Sequence, residues 1–301
     1  MTITILGNNS ALPAYERHPT AQIVSIGSEV LLIDCGEGTQ MQMQLYGHKW
    51  RKLNHIFISH LHGDHYFGLP GLINSMSLLG RTQPLNLYAP IALQAILDQM
   101  MLAADSQLNY SLHFHPLTTG EASLLVENKS FSVKSFPVEH RIDCHGFLVE
   151  EKTHGMKLLP EKCREYQIPA YFYHRIKNGE DYQRNDGFMI KSEWVTAPAL
   201  PGKKYAYCAD TRYTESFLPH ILQTDLLYHE STYLDEEAEK AAQRFHSTSK
   251  QAAKIAKVAG AKKLLLGHFS SKYKDLQPFQ DEASEIFPNV LVSKEGESYE
   301  I

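Results

Sequence analysis

The sequence lacks any hydrophobic run near the ~20 residues that a membrane-spanning helix needs. The segment after Met1 also lacks the basic start and the cleavage site of a secretory signal peptide. The 301 residues include four cysteines, which are too widely spaced for a CxxC motif or a disulfide framework. These absences predict a cytoplasmic protein with no membrane partner and with reduced, buried thiols. The cysteines are Cys35, Cys144, Cys163 and Cys208.

An excess of positive charge is also missing, since the formal net charge is −5. This value argues against nucleic-acid binding through the whole surface. One segment differs, because residues 157–177 carry five basic and two acidic side chains with aromatic residues between them. Cations contact phosphates and aromatic rings stack on bases, so this segment is suited to RNA or DNA, although composition alone favours a solvated amphipathic segment. The basic residues are Lys157, Lys162, Arg164, Arg175 and Lys177.

Short β-rich segments alternate with helical periodicity, and no repeat of 20–50 residues interrupts them. This layout predicts an α/β protein with sheets sandwiched between helices. Residues 151–200 lack a clean period and form the candidate protrusion. The predicted strands are Thr2–Leu6, Ala21–Ser25, Val30–Asp34, His55–Ile58, Leu85–Tyr88, Phe131–Phe136, Gly146–Val149, Lys204–Cys208, Leu226–His229, Lys263–Leu266 and Val290–Ser293. The predicted helices are Gln40–Tyr46, Gly71–Leu79, Ile91–Ala103, Ser249–Ala259 and Leu276–Phe287.

The segment Ser59–His65 places three imidazoles and a carboxylate directly after a predicted strand. In an extended chain His60 and His62 point the same way and can hold one cation. Gly63 then turns the chain, so that Asp64 and His65 can face a second cation. Mixed imidazole and carboxylate ligation suits zinc. A single histidine is more often a surface or hydrogen-bonded residue, but four adjacent ligand types at a strand end predict a two-metal site.

Further ligands are expected at the ends of other strands. His140 follows the strand Phe131–Phe136, and Asp210 and His268 follow two later strands. Taken singly, each residue fits a turn cap or a hydrogen-bonded core position better than it fits a metal ligand. Taken in this order after the first cluster, they complete the ligand set of a two-metal site.

With these ligands the chain resembles the metallo-β-lactamase superfamily, whose pattern is HxHxDH followed by a lone His, a lone Asp and a lone His. Within it the sequence is most similar to the ribonuclease Z family, the tRNA 3′-processing endonucleases. Asp34–Gln40 resembles its DCGEGTQ turn, His229–Thr232 its HEAT motif with Ser for Ala, and Arg244–Thr248 its HST loop. The segment Ile168–Glu180 resembles the arm that grips the body of tRNA.

The resemblance implies an αββα sandwich formed by one domain, residues 1–301, with a tRNA-binding arm inserted at about 151–200. It implies two zinc ions per chain, precursor tRNA as partner, and a homodimer in which one subunit's arm presents tRNA to the other's site. Asp34 would orient a ligand histidine, or instead cap the following glycine turn. The implied ligands are His60, His62 and His140 for one zinc, Asp64, His65 and His268 for the other, and Asp210 as the bridge.

Hydrolysis of a phosphodiester needs a nucleophile and a proton for the leaving oxygen. Asp64 is the expected general base, and His246 is suited to stabilise the phosphate or to protonate the leaving 3′ oxygen, with Glu230 fixing its orientation. The alternative role of His246 is to cap the helix that follows it.

Two features depart from the family pattern near the N-terminus. Pro13 and Arg17 are retained, but Tyr15 stands where lysine is usual and His18 where asparagine is usual. Arg17 and the five basic residues of segment 157–177 are the expected contacts to substrate.

Two other functions are compatible with the ligands. One is a small-molecule metallo-hydrolase of the same superfamily, acting on a phosphodiester, lactone or thioester. The other is a metal-stabilised RNA-binding protein without catalysis.

Overall fold

The computed structural model describes residues 1–152, 156–199 and 201–301. These residues form two compact units. The larger unit combines Met1–Glu150 with Lys203–Ile301, and the smaller unit is Glu151–Gly202, the segment predicted as an insertion. No helix within the described ranges has the length and apolar character needed to cross a membrane.

The strands of the described chain belong mostly to the larger unit. In chain order they are β1 (Thr2–Gly7), β2 (Ala21–Ile26), β3 (Glu29–Cys35), β4 (Leu53–Phe57), β5 (Leu85–Ala89), β6 (Leu112–Pro116), β7 (Ser123–Glu127), β8 (Phe131–Val138), β9 (Cys144–Glu151), β10 (Met156–Leu158), β11 (Tyr182–Gln183), β12 (Met189–Ile190), β13 (Thr196–Pro198), β14 (Lys204–Cys208), β15 (Leu226–Glu230), β16 (Leu264–Gly267), β17 (Val290–Val292) and β18 (Ser298–Glu300).

The α-helices connect these strands and lie mostly in the larger unit. They are α1 (Thr39–Leu45), α2 (Gly63–Tyr66), α3 (Leu69–Leu78), α4 (Ala92–Ala103), α5 (Pro160–Glu165), α6 (Tyr173–Lys177), α7 (Ser192–Val195), α8 (Leu218–Ile221), α9 (Ala238–Gln243), α10 (Ser249–Ala259) and α11 (Gln277–Ser284). Short 3-10 turns occur at Trp50–Lys52, Ala170–Phe172 and Asp235–Glu237.

The larger unit has four layers. One sheet has the order β18-β1-β2-β3-β4-β5-β6 and the other β17-β16-β15-β14-β9-β8-β7. Fully buried side chains such as Phe57 from the first sheet and Phe147 and Tyr207 from the second pack together between them. Helices α1, α3 and α4 cover the outer face of the first sheet, and α8, α10 and α11 cover the second. The predicted αββα sandwich is confirmed.

Continuous burial explains why the central strands were predictable. In β14 every residue from Tyr205 to Cys208 is buried, as expected for a strand covered on both faces. Helix α10 begins at a capping box formed by Thr248 and Gln251 and ends at Gly260, whose φ of 65° suits glycine. Both elements have the predicted boundaries, whereas the last helix ends three residues earlier than predicted.

Two edge strands were not predicted. Strand β7 alternates between exposed and half-buried residues, and β18 has three residues. An edge strand is covered less than a central strand, so its hydrophobic pattern is weaker. Each of these strands is the outermost strand of its sheet.

Strand direction brings the predicted ligand positions to one edge of the larger unit. Strands β14, β15 and β16 are parallel neighbours, and β9 pairs antiparallel with β14. Strand β8 is the other neighbour of β9, and the short connection between Val138 and Cys144 requires an antiparallel hairpin, so β8 has the direction of β14. In the other sheet β3 and β4 are parallel. The carboxyl ends of the two sets of strands lie at the same edge of the unit, because residues that follow β4, β8 and β14 come together there.

The smaller unit has its own hydrophobic core. Sheet pairs β10–β13 and β11–β12 and three short helices surround it. No clean period was visible in the sequence because these elements are two to six residues long. The buried core residues are Cys163, Ile168, Phe172, Ile176, Ile190 and Val195. All four cysteines of the chain are free and buried, as predicted.

Candidate metal centre

The first ligand group contains three histidines and one aspartate. Ligand atoms of His60, His62, His140 and Asp210 all lie within 4.8 Å of one another. Nε2 of His60 and Nε2 of His140 lie 3.0 and 3.1 Å from Nδ1 of His62. Burial lowers the pKa of all three histidines, in His62 and His140 to about 4. They are therefore neutral near pH 7 and have lone pairs that a metal can accept.

The second ligand group contains Asp64, His65 and His268, whose ligand atoms also lie within 4.8 Å of one another. Oδ2 of Asp64 is 3.5 Å from Nε2 of His65 and 3.5 Å from Nε2 of His268. Both ring nitrogens are buried without a hydrogen-bond partner in the described chain, as is Oδ1 of Asp210. Three unpartnered polar atoms that converge at one point are the arrangement expected of a metal site.

Asp210 lies between the two groups. Its Oδ1 is 3.0 Å from Nε2 of His268 and 3.3 Å from Nε2 of His65. Its Oδ2 is 3.5 Å from Nε2 of His60 and 3.6 Å from Nε2 of His140. One carboxylate oxygen therefore faces each group, which is the geometry that a bridging ligand requires.

The charges of the cluster also fit bound cations. Burial alone would lower the pKa of His65, but the carboxylates of Asp210, Asp64 and Asp34 outweigh burial and hold that pKa well above its usual value. Buried carboxylates in this number need positive charge nearby. Two divalent cations would supply it and leave the histidines neutral. The residues therefore fit a pair of metal ions.

Each of four ligand histidines makes a hydrogen bond through Nδ1, which leaves Nε2 free for a metal. His65 donates to Asp34 at 2.8 Å, and His140 donates to the carbonyl oxygen of Phe245 at 2.9 Å. The other two contact hydroxyls that themselves donate to a carboxylate. These contacts are His60 with Ser59 at 3.0 Å and His268 with Thr232 at 3.0 Å.

The side chain of Asp34 is fully buried and accepts hydrogen bonds from three residues. It accepts hydrogen bonds from the backbone and hydroxyl of Ser59, from His65, and from the hydroxyl of Tyr207 at 2.5 Å. No hydrogen bond from the glycine turn to the Asp34 side chain occurs among the described residues; the hydroxyl of Thr39 bonds to that turn, donating to the carbonyl oxygen of Gly36 at 2.7 Å. Asp34 thus contacts a predicted ligand histidine.

His246 lies beside both ligand groups. Its ring centroid is 5.2 Å from that of His140 and 5.5 Å from that of His268. Nδ1 of His246 donates to Oε1 of Glu230 at 2.8 Å, and Glu230 is itself held by Thr232. Burial alone would lower the pKa of His246, but the charge of Glu230 and this hydrogen bond raise it to about 9.

The proposed cap role of His246 is wrong for this fold. Helix α10 is capped by Thr248, whose hydroxyl accepts from the backbone N–H of Gln251 at 3.2 Å. His246 lies two residues earlier, and its ring lines a cavity of about 410 Å³ together with His62, Asp64 and Asp210. The protonated imidazole of His246 can therefore reach a substrate in that cavity.

The chain is similar over nearly its whole length to named proteins. Ribonuclease Z of Bacteroides fragilis is 42% identical over 292 residues, which cover 97% of this chain and 96% of the relative. This chain belongs to the ribonuclease Z family. Ribonuclease Z of Porphyromonas gingivalis is a second relative, 41% identical over 294 residues that cover 98% of this chain and 97% of the relative.

Solved structures agree with this ribonuclease Z family assignment. The short form of human tRNase Z superposes with a TM-score of 0.74 at 28% identity and covers 100% of this chain and 99% of its own. The metallo-β-lactamase fold protein YhfI from Bacillus subtilis superposes with a TM-score of 0.69 at 20% identity, covering 99% and 98%. The second likeness shows the fold alone.

Residues 1–158 also match the family described as anti-Pycsar protein Apyc1. The match spans about half of the chain, so the chain belongs to this family as well. It includes the segment Ser59–His65 and His140, and it ends before Asp210 and His268. The matched residues therefore include one part of the proposed ligand set.

The side chain of Arg17, a predicted substrate contact, binds other residues of the protein. Its Nε donates to Asn9 at 3.0 Å and its Nη2 to the carbonyl oxygen of Tyr273 at 2.5 Å. Its guanidinium also lies 5.5 Å from the ring of Tyr15. Arg17 does not line the cavity of about 410 Å³. These contacts hold the N-terminal loop, so the structure gives Arg17 a supporting position.

The sequence analysis did not predict three residues that contact the site residues or line the cavity. Thr232 contacts His246, His268 and Glu230, and the backbone N–H of Ala11 donates to Asp64 at 2.7 Å. Arg141 lines the cavity next to His140. Thr232 lies in the recognised motif His229–Thr232, which was a usable signal, whereas nothing in the sequence distinguished Ala11 or Arg141.

Proposed function

We propose that this ribonuclease Z family member is a metal-dependent endonuclease that removes the 3′ trailer from precursor tRNA in the cytoplasm. Its relatives are named ribonuclease Z over nearly the full chain, and a solved tRNase Z shares its fold. The observation that carries the proposal is the position of Asp210 between two ligand groups, with His246 beside both. A metal-stabilised RNA-binding protein would not need such a histidine.

The proposed cofactor is two zinc ions per chain. His60, His62 and His140 would hold one, Asp64, His65 and His268 the other, and Asp210 would bridge them. Imidazole nitrogens with few carboxylates favour zinc over magnesium or calcium, which prefer oxygen ligands. When bound, the pair supplies an activated water and offsets negative charge on the phosphate.

The chain itself supplies the proton transfers. Oδ2 of Asp64 is engaged by Ala11, while no hydrogen bond to its Oδ1 occurs among the described residues, so this oxygen can accept a proton from the attacking water. His246 donates a proton to the leaving 3′ oxygen, because Glu230 keeps its imidazole protonated and oriented.

A direct test uses purified protein and a precursor tRNA with a 3′ trailer. We expect a chelator to abolish cleavage and added Zn²⁺ to restore it, because the metal ions would supply the activated water. Gel analysis of the products measures this. Hydrolysis of bis(p-nitrophenyl) phosphate without any cut in the precursor would favour a small-molecule hydrolase. Binding of tRNA without turnover of either substrate would favour the non-catalytic alternative.

The smaller unit, Glu151–Gly202, is the proposed tRNA-binding arm of the single domain. Two of its five predicted contact residues are paired within the unit. Lys162 donates to Glu165 at 2.8 Å, and Arg175 forms an ion pair with Glu180. The others are exposed and have no ion pair among the described residues, so they are the stronger candidates for phosphate contacts. They are Lys157, Arg164 and Lys177.

Replacing Lys157, Arg164 and Lys177 together by glutamine is expected to weaken tRNA binding and to flatten its salt dependence. Each lost phosphate contact reduces the slope of log K against log salt by about 0.7 to 0.9, so the triple variant should lose roughly 2 to 3. Binding isotherms across a salt series measure this. The matched control replaces Lys52, Lys254 and Lys257, three exposed lysines of the larger unit, by glutamine, which makes the same change in net charge. If the slope of log K against log salt and the zinc content are both unchanged, these residues of the arm do not contact tRNA phosphates.

We also propose that two chains associate through the outer surface of α1 and α3. These helices contact each other through a 2.8 Å hydrogen bond from Gln40 to Ser75. Apolar side chains on and beside them are exposed, Leu78 by 86%, which is typical of a surface that is covered in an assembly. Sedimentation equilibrium should give a dimer that Leu78→Glu dissociates; a wild-type monomer would contradict it. The exposed residues are Met41, Leu45, Phe67, Leu78 and Leu79.

A further inference from the structure

A second cavity, of about 520 Å³, adjoins the metal centre. Its polar lining consists of hydroxyls, His246 and two arginines, Arg141 and Arg244, and no carboxylate lines it. The first cavity differs, because Glu37, Asp64 and Asp210 line it. In a chain of net charge −5, a cavity with two guanidinium groups and no acidic side chain is selective for anions.

Neither arginine of this cavity forms an ion pair within the described residues. Arg244 makes a 3.5 Å contact from Nη1 to the hydroxyl of Tyr233, and Arg141 donates no hydrogen bond there. A nearby arginine shows the alternative, since Arg212 is paired with Glu139. Two guanidinium forks left without a carboxylate can bind one phosphate through several N–H groups.

The hydroxyls around the arginines strengthen this interpretation. Ser270, Ser271 and Thr232 line the same cavity. The oxygen of Thr232 is occupied by Glu230 and His268, whereas the hydroxyl of Ser270 only accepts a hydrogen bond, from the backbone of Lys272 at 3.3 Å. Ser270 therefore retains a proton to donate to an anion.

The position of His246 orients the substrate in this cavity. Of the proposed ligands and catalytic residues, His246 alone lines it. The leaving 3′ oxygen that His246 protonates belongs to the nucleotide on the 5′ side of the cut. That nucleotide, and the phosphate at its own 5′ end, must therefore lie on the His246 side of the scissile phosphate.

We propose that Arg141 and Arg244 bind the phosphate immediately 5′ of the scissile phosphodiester, on the tRNA side of the cut. This inference rests on the proposed endonuclease function. The two arginines act as positioning residues: they hold the nucleotide whose 3′ oxygen leaves. Arg141 lines both cavities, so it lies where the strand passes from one to the other.

The test combines protein variants with substrates that carry one uncharged methylphosphonate linkage. Arg141→Gln and Arg244→Gln are made singly and together, with Lys254→Gln as control, since Lys254 is exposed and lines neither cavity. The substrates are precursor tRNAs neutralised at the phosphate 5′ of the cut, or at the next phosphate upstream. Steady-state cleavage gives kcat and KM for each combination.

The double variant is expected to lower kcat/KM by about 10- to 100-fold, the range for losing a charge-assisted contact, chiefly by raising KM. Neutralising the phosphate 5′ of the cut should cost the wild type and Lys254→Gln a similar factor and the double variant almost nothing more. Neutralising the next phosphate upstream should cost all proteins equally. Arg141→Lys should retain part of the affinity, because it keeps the charge without the fork.

Equal losses in wild type and double variant at the 5′ phosphate would overturn the subsite while leaving the endonuclease function intact. A wild-type protein that leaves the unmodified precursor uncut would overturn the function and this inference with it. Zinc content and circular dichroism of each variant identify any loss of fold. If the double variant is misfolded, the single variants carry the same comparison.

Discussion

Asp210→Ala is expected to lose both metal ions together and to lower kcat toward precursor tRNA by at least about 10⁴-fold, because the nucleophile and the charge neutralisation disappear at once. The reason is geometric. Oδ1 of Asp210 lies 3.0 Å from Nε2 of His268, and Oδ2 lies 3.5 Å from Nε2 of His60, so one side chain serves both ligand groups. Elemental analysis of the purified variant, together with single-turnover cleavage, measures the two effects.

The control for this variant is Asp225→Ala. Asp225 is also a buried carboxylate of the larger unit, but its ion pairs are with Lys203 and Lys262 and with none of the proposed ligands. Its variant should keep two metal ions per chain. A wild-type protein with one tightly held metal that Asp210→Ala also retains would contradict the bridging arrangement.

His246→Ala should lower kcat by about 10²- to 10⁴-fold, the usual contribution of a general acid, with zinc content unchanged. The side chain contacts Glu230 and Thr232 rather than completing either group of proposed ligands, so its loss leaves those groups whole. Pre-steady-state cleavage of precursor tRNA separates this chemical step from binding. Normal turnover in the variant would remove His246 from the reaction.

The substitution Glu230→Gln is expected to change the pH dependence of kcat. Glu230 raises the pKa of His246 to about 9, and the protonated imidazole is the active form, so activity falls as pH rises through that pKa. An uncharged glutamine removes most of this effect, so the alkaline limb of kcat should move to lower pH than in the wild type. An alkaline limb at the same pH in both proteins would show that another group is responsible.

The parts that could be predicted are those in which one residue type has few other uses. The segment Ser59–His65 contains four ligand residues close together in the sequence, so it predicts a metal site without any knowledge of the fold. His140 and Asp210 needed more, because a lone polar residue after a strand has several other uses. Their order along the chain after the first segment, together with the family resemblance, identified them as ligands. The central strands were predictable because they are buried on both faces.

The remaining parts depend on the three-dimensional path of the chain. Phe245 directs its carbonyl oxygen to His140 from a left-handed backbone conformation, with φ of 58°, which no local sequence pattern signals for phenylalanine. Arg141 and Arg244 are more than 100 residues apart and meet at one cavity only after folding. The core of the smaller unit was hidden because its elements are too short to show a period.

The two sheets each contribute part of the metal centre, and this has a consequence for the protein during its synthesis. His60, His62, Asp64 and His65 follow strand β4 of the first sheet, whereas His268 follows β16 of the second. About 200 residues separate the two, which a ribosome adds in roughly 10 to 40 seconds. Until then the second ligand group is incomplete. A growing chain therefore has no complete pair of ligand groups until His268 has been added.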